Sequence, residues 1–520
     1  MTYRWQETLV SAEVTIRDTL RIIAQSSLQI ALVIDDDRKL LGTVTDGDVR
    51  RALMSDMSLD LPVRSIMNTK PLTGAPDESY EVLVVRMQPD RLHQIPIVDE
   101  NGTVVGMATQ ADGPIGQGPE LASLASGRSV SFFDEDIRDF SSQLNAQING
   151  KRILVIGGAG SIGGSVVHKL ADGKPAALHI VDQSENNLAE LVRDLRSRPK
   201  GIAIEDFRTY PIDYGSQPMR MLLDDLPPYD VIMNFAALKH VRSEKDIYSL
   251  LQMLDTNVAK QVRFMRWLKD QDFKGRYFCV STDKAANPVS MLGASKRLME
   301  HIVFSDEVVP GFEGQVTSAR FANVAFSDGG LLHAFLNRLR KRQPLAAPKD
   351  TRRYFVSLEE AAQICLLAAL LAKPRTIVVP RLNPAEDLQH LDKIAIKVLE
   401  YFGLTPVIYE DEDKAREAVS DDLGHSQYPL LLTPLNTSGE KPYEEFIGEG
   451  ETAADIGFKS LDGVAYKGPK AGSLTALYDE IESILAGKIR MDKDTTIAKI
   501  AQVIPEFHHI ETGKNLDQRM

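Results

Sequence analysis

Cysteine is nearly missing from this chain: Cys279 and Cys365 are the two in 520 residues. Each stands in an apolar run, so both read as small core residues of a reducing compartment, and the pattern argues against a disulfide. Long hydrophobic runs are missing too. None approaches the roughly 18–20 residues needed to cross a bilayer. The opening Met1-Thr2-Tyr3-Arg4-Trp5-Gln6-Glu7 has no signal-peptide core. A cytoplasmic protein with no membrane partner is expected. Nor is there an excess of positive charge: the formal net charge is −13, which argues against general nucleic-acid binding, since that needs a basic face. No metal site is expected. What is present is ordinary for a globular protein, with 43% hydrophobic and 26% charged residues. A chain this long exceeds one core and should divide into two or three domains.

The first 115 residues carry an internal repeat. Ile30-Ala31-Leu32-Val33-Ile34-Asp35 is echoed by Gln94-Ile95-Pro96-Ile97-Val98-Asp99, and Gly42-Thr43-Val44-Thr45-Asp46-Gly47-Asp48 by Gly106-Met107-Ala108-Thr109-Gln110-Ala111-Asp112, always at an offset of 64. Each unit reads helix, strand, turn, strand, helix. The pattern resembles a tandem pair of CBS domains, with Met67-Asn68-Thr69-Lys70-Pro71 as the inter-repeat connection. The resemblance implies an adenine nucleotide held by Thr45, Asp48, Thr109 and Asp112: the aspartates on ribose hydroxyls, the threonines and helix starts toward phosphate. It also implies a homo-oligomer. The plainer reading is that Asp48 and Asp112 cap helices.

From Lys151 onward strands and helices alternate. Ile153–Ile156, Ala177–Val181, Val231–Ala236, Tyr277–Val280 and Val316–Phe321 are strand-like, which predicts a doubly wound parallel sheet of Rossmann type with a smaller substrate-binding lobe. The expected division is a repeat module at 1–115, a linker and lead-in helix at 116–148, a dinucleotide-binding domain at 149–330, an interleaved substrate lobe at 331–460 and a C-terminal extension at 461–520. Arg375–Val379 and Pro429–Thr433 read as strands, and Leu391–Phe402 and Leu474–Leu485 as helices. The last thirty residues give no clear pattern.

Gly157, Gly160 and Gly163 form G-x-x-G-x-x-G directly after a strand. Glycine allows the tight turn and the close approach of a pyrophosphate, and the helix start that follows, Ser161-Ile162, offers free N–H groups. Asp182, 19 residues after Gly163, fits both hydroxyls of an adenosine ribose and repels a 2′-phosphate, so NAD is favoured over NADP. Asp213 should lie near the adenine, and Ala236-Ala237 beneath the cofactor.

The strand Tyr277–Val280 delivers Ser281-Thr282-Asp283-Lys284-Ala285-Ala286-Asn287-Pro288 to the carboxyl edge of the sheet, with Lys296 in the helix that follows. Asp283 beside Lys284 also reads as a surface ion pair, and Lys296 as a solvated helix residue. These segments, with A-A-x-K-H-V at 236–241, T-N-V at 256–258, A-R-F-x-N-V at 319–324, R-Y-F at 353–355 and G-E-K-P-Y-E-E at 439–445, resemble the nucleotide-sugar 4,6-dehydratases of the CapD-like polysaccharide-biosynthesis branch, which are extended short-chain dehydrogenases/reductases.

The resemblance implies a hydro-lyase that removes hydride from C4 of a hexose, loses water across C5 and C6, and returns hydride to C6. Asp283 would protonate the leaving 6-hydroxyl and Lys284 would take the C5 proton. A cationic neighbour such as Lys296, together with burial, would lower the pKa of Lys284. Thr282 would bond the 4-oxygen, and Lys296 the nicotinamide ribose. Lys239, Asn323 and Arg353 would contact the nucleotide-sugar substrate. Two departures stand out. Leu292 occupies the position of a tyrosine, four before Lys296, which leaves the C4-hydroxyl base unassigned between Asp283 and Lys284. Arg242 replaces the family's proline, and its glutamate falls one position early, at Glu244. A 4-epimerase or C4 oxidoreductase on the same scaffold, and a non-catalytic nucleotide sensor, are the alternative readings.

Overall fold

A computed structural model of the chain describes residues 5–26, 28–76, 78, 83, 86–87, 92–109, 119–199, 201–240, 244–423, 427–436 and 438–513. The chain divides into two units, one of residues 1–117, 336–345 and 396–431, the other of residues 118–335, 346–395 and 432–520.

In the first unit the repeat of the sequence becomes a repeat of register. Strand Ile30–Ile34 pairs antiparallel with Leu40–Thr45, Ile30 opposite Thr45 and Ile34 opposite Leu40, with an irregularity between Val33 and Ile34. Strand Gln94–Val98 pairs with Val104–Thr109 at the same offset and with its irregularity at the same place, between Ile97 and Val98. The turns agree as well. Asp35 Oδ1 accepts the N–H groups of Asp37 and Lys39, and Asp99 Oδ1 those of Asn101 and Thr103, so each aspartate supplies the turn with acceptors that the strands cannot. The two hairpins join reciprocally: Leu40 N–H donates to Gly102 O and Val104 N–H to Arg38 O. Ile30, Leu32, Val104 and Met107 form a shared apolar cluster. Asn68, in the inter-repeat connection, exchanges two backbone hydrogen bonds with Thr43. Elsewhere in this unit, strand Thr405–Tyr409 lies parallel to Gln427–Thr433.

The second unit is built on a nine-stranded sheet. Its order is Ala453–Asp455, Leu461–Ala465, Thr376–Pro380, Gln315–Ala319, Arg276–Val280, Val231–Asn234, Arg152–Ile156, Ala177–Val181 and Asp206–Tyr210. The last seven of these run parallel; the first two add an antiparallel hairpin at the edge. The inner strands are buried along nearly their whole length because helices cover both faces. Helix Met291–Phe304 is buried at every position, and helix Leu358–Leu370 is buried from Glu360 on. Strand order reverses between Arg152–Ile156 and Val231–Asn234, and such a reversal opens a crevice at the carboxyl ends of the strands. Two short helices, Asp134–Asp139 and Ser141–Ile148, precede the first strand, with Leu144 and Ile148 in the sheet's core. The C-terminal region, which shows little pattern in the sequence, forms helix Lys493–Val503. Its next residues run beside Pro288 and Val289, where His508 N–H donates to Pro288 O and Ile510 N–H to Val289 O.

Candidate functional site

The glycine turn follows strand Arg152–Ile156. Gly157 has φ +69°, and a Cβ there would stand 2.7 Å from Ala236 N. A Cβ on Gly163 would stand 2.2 Å from Gly157 O. Both positions therefore exclude a side chain, the first by conformation and contact, the second by contact alone. The same closeness brings Ala236 and Ala237 against the turn; Asn234 Oδ1 holds Ala236 N–H at 3.0 Å. Gly160 caps helix Ser161–Asp172 and brings no side chain to it, so first-turn N–H groups at Ser161 and Ile162 remain for a phosphate. Asp182 stands at the end of the second strand. Its Oδ2 accepts Ala159 N–H at 3.0 Å and its Oδ1 accepts Ser184 N–H at 2.9 Å. Each oxygen keeps a lone pair for a ribose hydroxyl. These residues fit NAD: a turn open to pyrophosphate, a helix start facing it, and a carboxylate where a 2′-phosphate would be repelled. Asp213 is engaged by Lys260 and accepts Gly215 N–H at 2.8 Å.

Beyond strand Arg276–Val280 the chain enters a short turn, Asp283–Ala285, capped by Thr282. Asp283 is 1% exposed. Its Oδ1 accepts from Thr282 Oγ1 at 2.8 Å, Lys284 N at 2.9 Å and Lys284 Nζ at 3.0 Å, while its Oδ2 is buried without a hydrogen bond. The pair is thus no surface ion pair. Glu444, 3% exposed, joins it from the far end of the sequence, with Oε1 3.9 Å from both Lys284 Nζ and Arg353 Nη2. Its Oε2 makes no directed hydrogen bond, though Lys441 Nζ stands 3.2 Å away. The charged groups beside Lys284 are therefore carboxylates. Lys296 is buried rather than solvated: its Nζ donates to Val280 O at 2.9 Å, and burial lowers its pKa to about 8.

The remaining predicted contacts spread outward. Arg353 is buried and donates to the carbonyls of Arg352 and Pro442. Asn323 Nδ2 reaches Tyr354 O at 3.5 Å. Lys239 is exposed. His240 lies against Gly329. Arg320 belongs to a closed ion network. It is fully buried and donates to both oxygens of Glu300 and both of Glu451, all at 2.6–2.9 Å. Arg297 adds bonds to Glu451, Glu300 and Glu506, and Ser281 Oγ donates to Glu300 at 2.6 Å. Burial raises the pKa of Glu451, but Arg320 and Arg297 outweigh it and hold the carboxyl at about 2.

In the repeat module, Asp48 Oδ2 accepts both the N–H and the hydroxyl of Thr45 at 2.7 Å, closing a capping box on helix Asp46–Met54. Thr109 is buried at the matching place; Asp112 lies outside the described residues. Two site residues escape the sequence reading. Glu444 sits within the quoted G-E-K-P-Y-E-E run, but nothing local marks it as the buried acid. Asn257 lies in a π-helical turn, Asp255–Ala259, a feature frequent at functional sites. It bonds both the N–H and carbonyl of Leu238, and Ser295 Oγ at 3.0 Å, so it ties the loop after one strand to the helix that carries Lys296.

The sheet order, glycine turn and Thr-Asp-Lys turn around the buried Asp283 define an extended short-chain dehydrogenase/reductase. The chain belongs to the family of polysaccharide biosynthesis proteins, whose model matches residues 153–461, and it carries CBS domains at 7–55 and 63–112. It is 29% identical over 304 residues to the "Uncharacterized membrane protein MJ1061" of Methanocaldococcus jannaschii, covering 58% of this chain and 81% of that one. It is 27% identical over 329 residues to the "Probable polysaccharide biosynthesis protein EpsC" of Bacillus subtilis, covering 62% and 49%. To the "UDP-N-acetylglucosamine 4,6-dehydratase (inverting)" of Campylobacter jejuni it is 26% identical over 222 residues, covering 42% and 63%. The chain thus spans about half the length of EpsC. The structure of Pen from Bacillus thuringiensis shares the fold, with a TM-score of 0.50 and 22% identity over 61% of this chain and 88% of that one. Among the described residues no helix is long and apolar enough to cross a membrane.

Proposed function

We propose that this chain is an NAD-dependent nucleotide-sugar 4,6-dehydratase, a hydro-lyase that converts UDP-N-acetylglucosamine or a close relative into a 4-keto-6-deoxy sugar, with or without inversion at C5. One observation carries the reading: the turn at the carboxyl edge of the sheet sets a partly exposed Lys284 against the buried carboxylates of Asp283 and Glu444 and leaves Asp283 Oδ2 without a hydrogen-bond partner. A buried acid and an amine in contact suit proton transfer at a carbon and at a leaving oxygen. NAD, seated on Gly157, Gly160, Gly163 and Asp182, supplies a hydride acceptor that later gives the hydride back. Lys296 holds the nicotinamide ribose, and Thr282 bonds the 4-oxygen. Lys284 takes the C5 proton. Asp283, protonated at Oδ2, gives its proton to the departing 6-hydroxyl. As hydride adds at C6 a proton returns to C5, from the Lys284 ammonium where C5 is retained and from water on the opposite face where it is inverted; Glu444 Oε1, 3.9 Å from Nζ, steadies the ammonium. Arg353 and Asn323 hold the diphosphate, with Lys239 at its exposed edge.

The test is direct. Incubated with UDP-N-acetylglucosamine and NAD, the protein should yield a product lighter by one water. A mass-neutral product would support a 4-epimerase instead, and no product with any nucleotide sugar would support a non-catalytic sensor. Regulation belongs to the same proposal: the CBS pair takes an adenine nucleotide and the chain assembles as a homo-oligomer. Calorimetric titration of the full chain with AMP, ADP and ATP, together with its mass in solution, tests both. Absence of heat with all three nucleotides would remove the sensor.

A further inference from the structure

Leu292 offers no group able to take the proton of a C4 hydroxyl, Asp283 has Oδ1 committed to three donors and Oδ2 assigned to the leaving 6-hydroxyl, and Lys284 is assigned to C5. A second buried acid meets the same helix start from another side. Glu244 is 3% exposed, and its Oε1 accepts the N–H of Leu292 itself at 3.3 Å. Its Oε2 lies 3.3 Å from Nε2 of His509, whose side chain is 10% exposed. The segment that brings His509 is firmly seated. His508 and Ile510 donate their N–H groups to Pro288 and Val289, Ile510 O accepts from Gly439, and Glu506 bonds Arg297. The helix start touches the reactive turn: a Cβ on Gly293 would stand 2.3 Å from Lys284 O. Glu244 and His509 therefore gather at the start of the helix that packs on the turn carrying Asp283 and Lys284, with Glu244 bonded to the backbone of the position where a tyrosine is missing.

We propose that His509 is the base for the C4 hydroxyl, and that Glu244 is the residue that positions it. The inference rests on the dehydratase reading above. With Nε2–H donated to Glu244, a neutral imidazole presents Nδ1 as its acceptor. The O4–H bond breaks and its proton passes to Nδ1. The C4–O bond becomes a carbonyl as the C4 hydride leaves to the nicotinamide. Glu244 stabilises the imidazolium, which later gives its proton up from Nδ1 to water. A carboxylate behind an imidazole sets its tautomer and orientation in this way.

The experiment separates contact, oxidation and elimination. In full-length protein labelled with 15N-histidine, the imidazole resonance that disappears in His509→Gln should shift when UDP-N-acetylglucosamine is added, with or without NAD. It should also shift in Glu244→Gln without any sugar. No shift on adding the sugar overturns the assignment. His509→Gln and Glu244→Gln should each slow single-turnover nicotinamide reduction about a hundredfold, the usual scale for one proton-transfer group. Water release from the corresponding 4-keto nucleotide sugar, supplied directly, should keep its wild-type rate. Loss of both steps together identifies a merely structural latch and overturns the proposal, as does undiminished reduction in both variants. Wild-type protein that reduces no nicotinamide with any nucleotide sugar overturns the dehydratase reading and this assignment together.

Discussion

Two charge clusters lie on neighbouring strand ends of the second unit, and they are finished differently. In the first, Arg320 and Arg297 meet Glu300 and Glu451 with every guanidinium and carboxylate in bonded contact. In the second, the carboxylates of Asp283 and Glu444 are as deeply set while Lys284 reaches partly into solvent, yet Asp283 Oδ2 and Glu444 Oε2 have no directed hydrogen bond. Buried carboxylate oxygens without partners are costly and rare in a folded protein. The closed cluster is self-sufficient, as a structural network must be. The open one has capacity left for something that arrives from outside.

Breaking the closed cluster should have the largest effect. Arg320→Met strands Glu300 and Glu451 in the interior and should cost about 3–5 kcal/mol of stability, read by urea unfolding; a loss under about 1 kcal/mol would mean that the network is not holding the fold. The open cluster should behave in the opposite way. Asp283→Asn and Lys284→Ala should each lower turnover at least about a hundredfold while moving the unfolding midpoint little, and near-wild-type turnover in either would remove the proton-transfer roles.

Lys296 sharpens the comparison through pH. Its folded pKa, about 8, lies below its ordinary 10.5, so the unfolded chain binds the extra proton between those values. Its burial therefore costs stability below about pH 8, roughly 3 kcal/mol at most, and the cost is relieved as pH rises toward 10.5. NAD-free protein should gain stability across that window in denaturant titrations, and Lys296→Met should flatten the gain. The smallest effect belongs to the repeat module. Asp48→Ala removes a capping box and should cost about 1 kcal/mol. If Asp48 also holds ribose hydroxyls, the substitution should in addition abolish the calorimetric signal of adenine nucleotides.

The sequence makes much of this legible where the signal is local. Strand alternation, the glycine turn and Asp182 lie within one supersecondary unit, and the hairpin repeat shows as a fixed offset that the registers reproduce down to the position of the strand irregularity. The burial of Asp283 and Lys296 is not local, which is why a solvated reading of each remains reasonable until the strands are stacked. Glu444 and His509 are less legible still. Their partners Lys284 and Glu244 lie far away along the chain, and no periodicity connects groups that only tertiary packing brings together. The pairing of Lys284 with carboxylates, where the sequence suggests Lys296 as its charged neighbour, has the same origin.

The seating of residues 506–511 beside Pro288 and Val289 has a consequence for biogenesis. Translation delivers Pro288, Val289 and the helix start long before the segment that docks on them, and 209 residues separate Arg297 from Glu506. Domains fold as units while synthesis proceeds, so the nascent sheet can assemble with Pro288 and Val289 still unpaired by this segment. The order of synthesis thus keeps the helix start and the segment that docks on it apart for the 209 residues that separate Arg297 from Glu506.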